Sequence, residues 1–229
     1  MATTSTILTA PAAERAGWRG TTPRLGVRLA DGAAVVLRPV LPTDRRHLVR
    51  GLARMSAESR YRRFLTPMPR FTPWQVRYLT EVDQRDHLAW VALVREAGGW
   101  AGVAVGRCVR LADDRSAAEF ALTVVDDYQG RGLGRLLLGT LAALAGPAGV
   151  ERFVAEVLAT NAPMTRLIER AGGSVRPVGG GVVSAELPVA PLPGRLLGDG
   201  VRRALRRLLA GAPPEAGTDV GVAAPPAQQ

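Results

Sequence analysis

Ala118-Glu119-Phe120-Ala121-Leu122-Thr123-Val124-Val125-Asp126-Asp127-Tyr128-Gln129-Gly130-Arg131-Gly132-Leu133-Gly134 is the stretch on which the fold turns. Its first half is small, apolar and β-branched, which predicts a strand over Ala117 to Val125. Its second half carries glycines at 130, 132 and 134, and the residues beyond place Leu133, Leu136, Leu137, Leu141 and Leu144 at helical spacing. A strand, a glycine turn and a helix make an anion site. Main-chain N–H groups point inward there, and the helix dipole adds partial positive charge at the mouth. Glycines let that main chain approach phosphate oxygens closely.

Spacing decides which phosphate motif this is. A dinucleotide fingerprint needs a third glycine where this chain has Arg135. A Walker loop needs lysine, and all thirty basic residues here are arginine. That composition also excludes Schiff-base lysines and Ser-Lys dyads; with abundant Ala, Gly and Pro it fits a GC-rich coding bias. What matches is Gln129-x-x-Gly132-x-Gly134, closed by Gly146-Pro147 after the leucine helix.

Outward from this centre the pattern alternates irregularly. Towards the N-terminus, residues 1–30 read as a flexible segment, and Ala33 to Arg38 as a strand. Pro42-Thr43-Asp44 opens a helix with Thr43 as N-cap, Ser56 to Phe71 reads as an arginine-rich loop, and Thr72-Pro73 starts a helix to about Asp83 that buries Val76 and Leu79. His87 to Arg95 and Trp100 to Leu111 form a hairpin about Ala97-Gly98-Gly99. Towards the C-terminus follow a strand over Phe153 to Leu158, a helix over Asn161 to Ala171 and one or two strands within Val175 to Val189. The fold class is α/β (α+β): a central mixed sheet with helices on both faces, spanning 31–192. Residues 193–211 read as a basic amphipathic helix, with Leu197, Val201, Leu205, Leu208 and Leu209 against Arg195, Arg202, Arg203, Arg206 and Arg207. Residues 212–229 read as a disordered Pro/Ala/Gly tail.

Composition bounds the remaining classes. With 229 residues, 47% of them hydrophobic, the chain can bury one ordinary core. The formal net charge of +10 favours anionic partners. Cys108 is the sole cysteine, and His47 and His87 are the two histidines, so no disulfide forms within the chain and no metal site is expected. Met1 to Ala13 lacks the layout of a signal peptide, and no apolar run approaches the roughly eighteen residues of a membrane span. A cytoplasmic location is the expectation.

The quoted stretch resembles the central strand and pyrophosphate loop of GNAT-family N-acetyltransferases, over about residues 33–190. Asn161-Ala162-Pro163-Met164 with Leu167, Glu169, Arg170 and Gly172 resembles that family's next motif. Ser59-Arg60-Tyr61-Arg62-Arg63-Phe64, Asp86-His87, Ala118-Glu119 and Gly149-Val150-Glu151-Arg152-Phe153 bring it closer to the catalytic domain of bacterial Pat-type protein lysine acetyltransferases. The familiar members also carry a cyclic-nucleotide-binding domain, and none is expected within these 229 residues. The resemblance implies a GNAT-like fold and acetyl-CoA as cosubstrate, with no metal. It also implies cofactor contacts from main-chain groups of Leu122, Thr123 and Val124, from Gln129, Gly130, Arg131, Gly132, Leu133 and Gly134, and from Asn161 at its helix start.

The same resemblance makes Glu119 the general base. Freeing a lysine-like amine of its proton at pH 7 costs roughly 4 to 5 kcal/mol, so a base has work to do. Period-2 alternation sets Glu119, Ala121 and Thr123 on one face of the strand. Many family members place a tyrosine where this chain has Ile168, leaving the thiolate to water or to unassisted departure. The acceptor is expected to be a primary amine, a protein lysine ahead of a small-molecule amine or amino acid; a catalytically weak acyl-CoA sensor is the competing class. Arg60, Tyr61, Arg62 and Arg63 are candidates for an acceptor groove. The helix over 195–209 either packs its leucines on the domain or meets an anionic surface. The oligomeric state has no signature in the residues.

Overall fold

The computed structural model describes residues 22–211 and 219–221. Among them, nine strands form one mixed sheet: β1 Leu25–Arg28, β2 Ala34–Pro39, β3 His87–Glu96, β4 Gly99–Arg110, β5 Ala117–Val124, β6 Arg152–Leu158, β7 Ser174–Gly179, β8 Val182–Pro188 and β9 Asp219–Gly221. Their order across the sheet is β7-β8-β6-β5-β4-β3-β2-β1-β9. The helices are α1 Arg45–Ala53, α2 Ala57–Phe64, α3 Pro73–Thr80, α4 Leu133–Ala145, α5 Ala162–Arg170, α6 Leu192–Leu196 and α7 Asp199–Leu209. None of the described helices is long and apolar enough to cross a membrane.

The two faces of the sheet are told apart by what its glycines meet. At Gly106 of β4 a side chain would run into Leu137 and Leu141 of α4, whereas at Gly102 it would meet His47 of α1. A register shift at Ala92/Leu93 lies between the two positions. Helix α4 is apolar almost all round because it is covered on both sides. Leu136, Leu137, Leu138 and Leu141 are fully buried between the sheet and the α6–α7 pair.

Several local expectations are revised. Residues 25–28 do not belong to a flexible leader: Leu25 and Val27 are buried and the segment pairs antiparallel with β2. Residues 1–21 lie outside the described residues. Thr43 does not cap α1. The carboxylate of Asp44 accepts the Leu41 N–H at 2.8 Å and a two-pronged Arg38 pair at 2.6 Å on each prong, and both side chains are buried. Ser56 to Phe71 is not all loop: Ser56 caps α2 by accepting from the Ser59 N–H. That helix buries no residue completely, so it has no apolar stripe to reveal it. Thr72 caps α3 as expected, but α3 stops at Thr80 and leaves Val76 and Leu79 only half-buried.

The C-terminal expectation is revised most. The helix over 195–209 is broken at Leu197-Gly198, where both residues are extended, into α6 and α7. Leu197, Val201, Leu205 and Leu208 are buried in the common core, and Leu209 is 44% exposed. Arg195 donates to the Ala171 carbonyl, and Arg135 of α4 donates to the carbonyls of Leu196 and Arg195. The boundaries at 30 and 193 therefore separate no structural units. Of the tail expected to be disordered, residues 219–221 pair parallel with β1; the rest lies outside the described residues.

At Gly139 α4 lies tight against the α6–α7 junction, since a side chain there would come within 2.7 Å of Leu197. Replacing Gly139 by leucine should destabilise the chain by about 1–3 kcal/mol. Urea denaturation beside the parent chain checks this; an unchanged midpoint would mean that α6 is not seated on α4.

Candidate active site

Parallel pairing of β5 with β6 lasts three residues, Ala117↔Arg152, Ala118↔Phe153 and Glu119↔Val154, and then the strands part. On its other edge β5 stays paired with β4 up to Val124. Val125 N–H donates to Val103 O on that side, so the main-chain groups of Leu122 and Val124 point the other way, towards β6. A cleft of about 390 Å³ fills the gap. Among its walls are Glu119, Leu122, Thr123 and Val124 of β5, Ala155 and Val157 of β6, and the loop that leads into α4.

Ten of the eleven expected site residues line this cleft: Glu119, Leu122, Thr123, Val124, Gln129, Gly130, Gly132, Leu133, Gly134 and Asn161. Arg131 is the exception. Its guanidinium lies over the Tyr128 ring at 4.7 Å and 3.6 Å from Asp31, a cation on the outside of the loop. Gly130 and Gly132 have φ of 75° and 86°, left-handed values that disfavour any side chain, and a Cβ at either would face open space. That open space is what an anion on the loop's N–H groups requires.

The polar side chains hold the loop rather than reach outward. The Gln129 side-chain amide donates to Val124 O at 3.2 Å, to Asp126 at 3.1 Å and to the Ser59 hydroxyl at 3.2 Å. Asp126 in turn accepts the Ser56 N–H, tying the start of α2 to the loop. Asn161 caps α5 by accepting the Met164 N–H at 3.3 Å, which leaves its amide N–H groups to the cleft. Ile168 is wholly buried; Pro163, Met164 and Leu167 are what α5 presents to the cleft.

Beside Glu119 a second recess of about 290 Å³ opens on the face covered by α2 and α3. Cross-strand register places Glu119, Ala121 and Thr123 opposite Val109, Arg107 and Val105, all on this face. Glu119, Ala121, Arg63 and Phe64 border both the cleft and the recess. Glu119 is exposed, and no hydrogen bond or ion pair among the described residues ties it down. Trp74, 68% exposed, stacks on Tyr78 at 5.4 Å to form the outer wall.

Of the basic candidates on α2, Arg62 and Arg63 reach the cleft. Arg60 donates to the carbonyls of Met68 and Pro69, and Tyr61 is exposed. Arg63 donates from Nε to the Thr123 hydroxyl at 3.0 Å. Sequence reading missed Arg107, although a charge inside the apolar run Val103 to Val109 was its signal. Burial, only partly offset by Glu119 and Tyr78, brings Arg63 down to about 10. Burial, with the Arg63 charge adding to it, brings Arg107 down to about 9, so both stay cationic at neutral pH.

His87 is a neutral neighbour of these cations. Its Nε2 lies 3.0 Å from Arg107 Nη1, a nitrogen that only donates, so the ring accepts there. Burial first and the Arg107 charge second push its pKa down to about 4. Cys108 is buried and its thiol is pushed up to about 12 by burial, as befits core filling. No group of three His, Cys, Asp or Glu side chains that could hold a metal occurs among the described residues.

Residues 34–174 match the family model described as "Acetyltransferase (GNAT) domain". The acetyltransferase Pat of Mycolicibacterium smegmatis is 39% identical over 166 residues, 72% of this chain and 49% of its own length. The chain thus spans about half of that relative. The crystal structure of the GNAT domain of S. lividans PAT superimposes with a TM-score of 0.66 at 34% identity, covering 72% of this chain and 96% of that one. A cAMP-binding acyltransferase from Mycobacterium smegmatis gives 0.59 at 33% identity, covering 87% of this chain and 57% of that one.

Since the unfolded imidazole titrates near 6.5 and the folded one near 4, the unfolded chain binds the extra proton between those values. Stability should therefore fall as pH drops from about 6.5 towards 4. Replacing His87 by glutamine should flatten this part of the profile, read from urea midpoints at pH 7 and pH 4.5. An unaltered slope would show that His87 is protonated in the native fold.

Proposed function

The chain belongs to the GNAT acetyltransferase family, and we propose that it transfers an acetyl group from acetyl-CoA to a primary amine, with Glu119 as general base. One observation carries the reading. Glu119 stands at the last position where β5 pairs with β6, where the cleft opens into the recess, so one carboxylate faces both compartments.

The residues fit the cosubstrate. Main-chain N–H groups of Gly130 to Gly134 and the start of α4 would hold the diphosphate, in the space that the two left-handed glycines leave open. Leu122 and Val124 offer main-chain groups to the pantetheine amides, as in the addition of a strand to a sheet edge. Asn161 supplies an amide N–H from the far wall. Acetyl-CoA supplies an activated acyl thioester. Following β5 back from the loop leads from the diphosphate end of the cleft to Glu119, where the acyl end belongs.

Glu119 takes the proton from the acceptor ammonium, directly or through a water, and the free amine attacks the thioester carbonyl. His87 is poorly suited to this task at neutral pH, because its accepting nitrogen is already occupied by Arg107. The buried Ile168 offers no proton to the departing sulfur, so that proton comes from water or is not needed. Core packing accounts for isoleucine at this position, and turnover with an amine is what separates the transferase from an acyl-CoA sensor. A protein lysine and a small-molecule amine both satisfy this chemistry.

Glu119→Gln should lower kcat by about 10²–10⁴-fold with acetyl-CoA affinity retained, measured as CoA thiol release beside calorimetry. A variant as fast as the parent would remove Glu119 from the mechanism. Gly132→Ala, straining the left-handed position by roughly 1–2 kcal/mol, should weaken CoA binding about tenfold. A parent chain that ignores CoA at millimolar concentration in the calorimeter would overturn the reading altogether.

A further inference from the structure

The fold treats its inward-facing arginines, buried Arg38 and Arg107 and half-buried Arg63, in two ways. Arg38 is matched by the Asp44 carboxylate on both prongs. Arg63 and Arg107 border one recess and find only neutral acceptors: the Thr123 hydroxyl for Arg63, and the His87 ring and the Leu79 carbonyl for Arg107. No ion pair joins either to a carboxylate among the described residues. Two like charges drawn partly out of water, with only the unbonded Glu119 carboxylate near Arg63 to offset them, are expensive to keep. Glu119 is the one carboxylate among the residues bordering the recess, and the proton transfer proposed above needs it.

We propose that this recess is an acceptor subsite for amines that carry a carboxylate, with Arg63 and Arg107 receiving the anion while the amine lies at Glu119. The inference rests on the transferase reading and narrows its substrate class. Arg63 spends Nε on Thr123, and its Nη groups make no hydrogen bond among the described residues where the side chain borders both cleft and recess. Arg107 rises from β4 opposite Ala121, next but one to Glu119 along the strand pair. The stacked Trp74 and Tyr78 form an apolar wall suited to the carbon chain between the two charged ends. A substrate carboxylate would then play the part that Asp44 plays for Arg38.

Such a carboxylate comes either from a free amino acid or from an acidic residue beside a target lysine, and matched acceptors separate the two. One pair is an amino acid and its carboxamide; the other is a lysine peptide with a flanking aspartate and its asparagine counterpart. With acetyl-CoA saturating, kcat/KM from CoA release should favour the carboxylate member of at least one pair by about tenfold or more, as expected for a charge-assisted contact. That pair identifies the source. Arg63→Gln and Arg107→Gln should each bring the ratio towards one through KM, and Arg107→Lys should restore part of it. Equal rates within both pairs for the parent chain would overturn the subsite while leaving the transferase intact. A preference untouched by all three variants would equally overturn it. Absence of turnover with every acceptor would overturn the transferase reading, and the subsite with it.

Discussion

A sheet that opens between two parallel strands must leave main-chain hydrogen-bonding groups without a strand partner, and this constraint organises the molecule. After Glu119, β5 has a neighbour on one edge only. Buried main-chain groups left in that state would be costly. Here they face a cleft, where water or a ligand can satisfy them. The opening also fixes everything placed around it: the glycine loop where β5 ends, the first turn of α4 beyond the loop, and Asn161 at the head of α5 across the gap. Glu119 marks the position where pairing stops.

The two faces of the sheet serve different ends. On one, α4 is sealed between strands and the α6–α7 pair, an almost wholly apolar arrangement that gives the loop a rigid base. On the other, α1 to α3 cover the sheet less completely and bring arginines inward from α2 and β4. The costs are unequal. Packing on the first face is repaid by apolar contact alone, whereas cations on the second are tolerable only near polar acceptors or an incoming anion. Stability is concentrated on the first face and chemistry on the second.

What the sequence made legible follows the same division. Strands with clear apolar runs and the leucine helix were readable because burial imposes a period on them, and the loop was readable because glycine takes the left-handed angles of Gly130 and Gly132 at little cost. Helix α2 escaped because it buries nothing completely, so its polar residues show no stripe. Residues 25–28 were misread because a four-residue strand at the end of a polar segment has too little pattern. Arg131 and Gln129 illustrate a subtler limit. Both lie in the motif, yet one turns outward to Tyr128 and the other braces Val124 O, which only the three-dimensional neighbours decide. Arg107 could have been noticed as a charge in an apolar strand, but its pairing with Arg63 depends on residues far apart in the chain.

The seating of α6 on Gly139 has an outcome for how the protein breathes. Helix α4 shares its outer leucines with residues beyond 192, and Arg135, next to the loop, grips the carbonyls of α6. Amide protons of α4 and of this C-terminal pair should therefore open as one cooperative unit, exchanging with solvent together rather than in sequence. The last helices act as a clasp: while they are fastened, the glycine turn has a fixed floor beneath it.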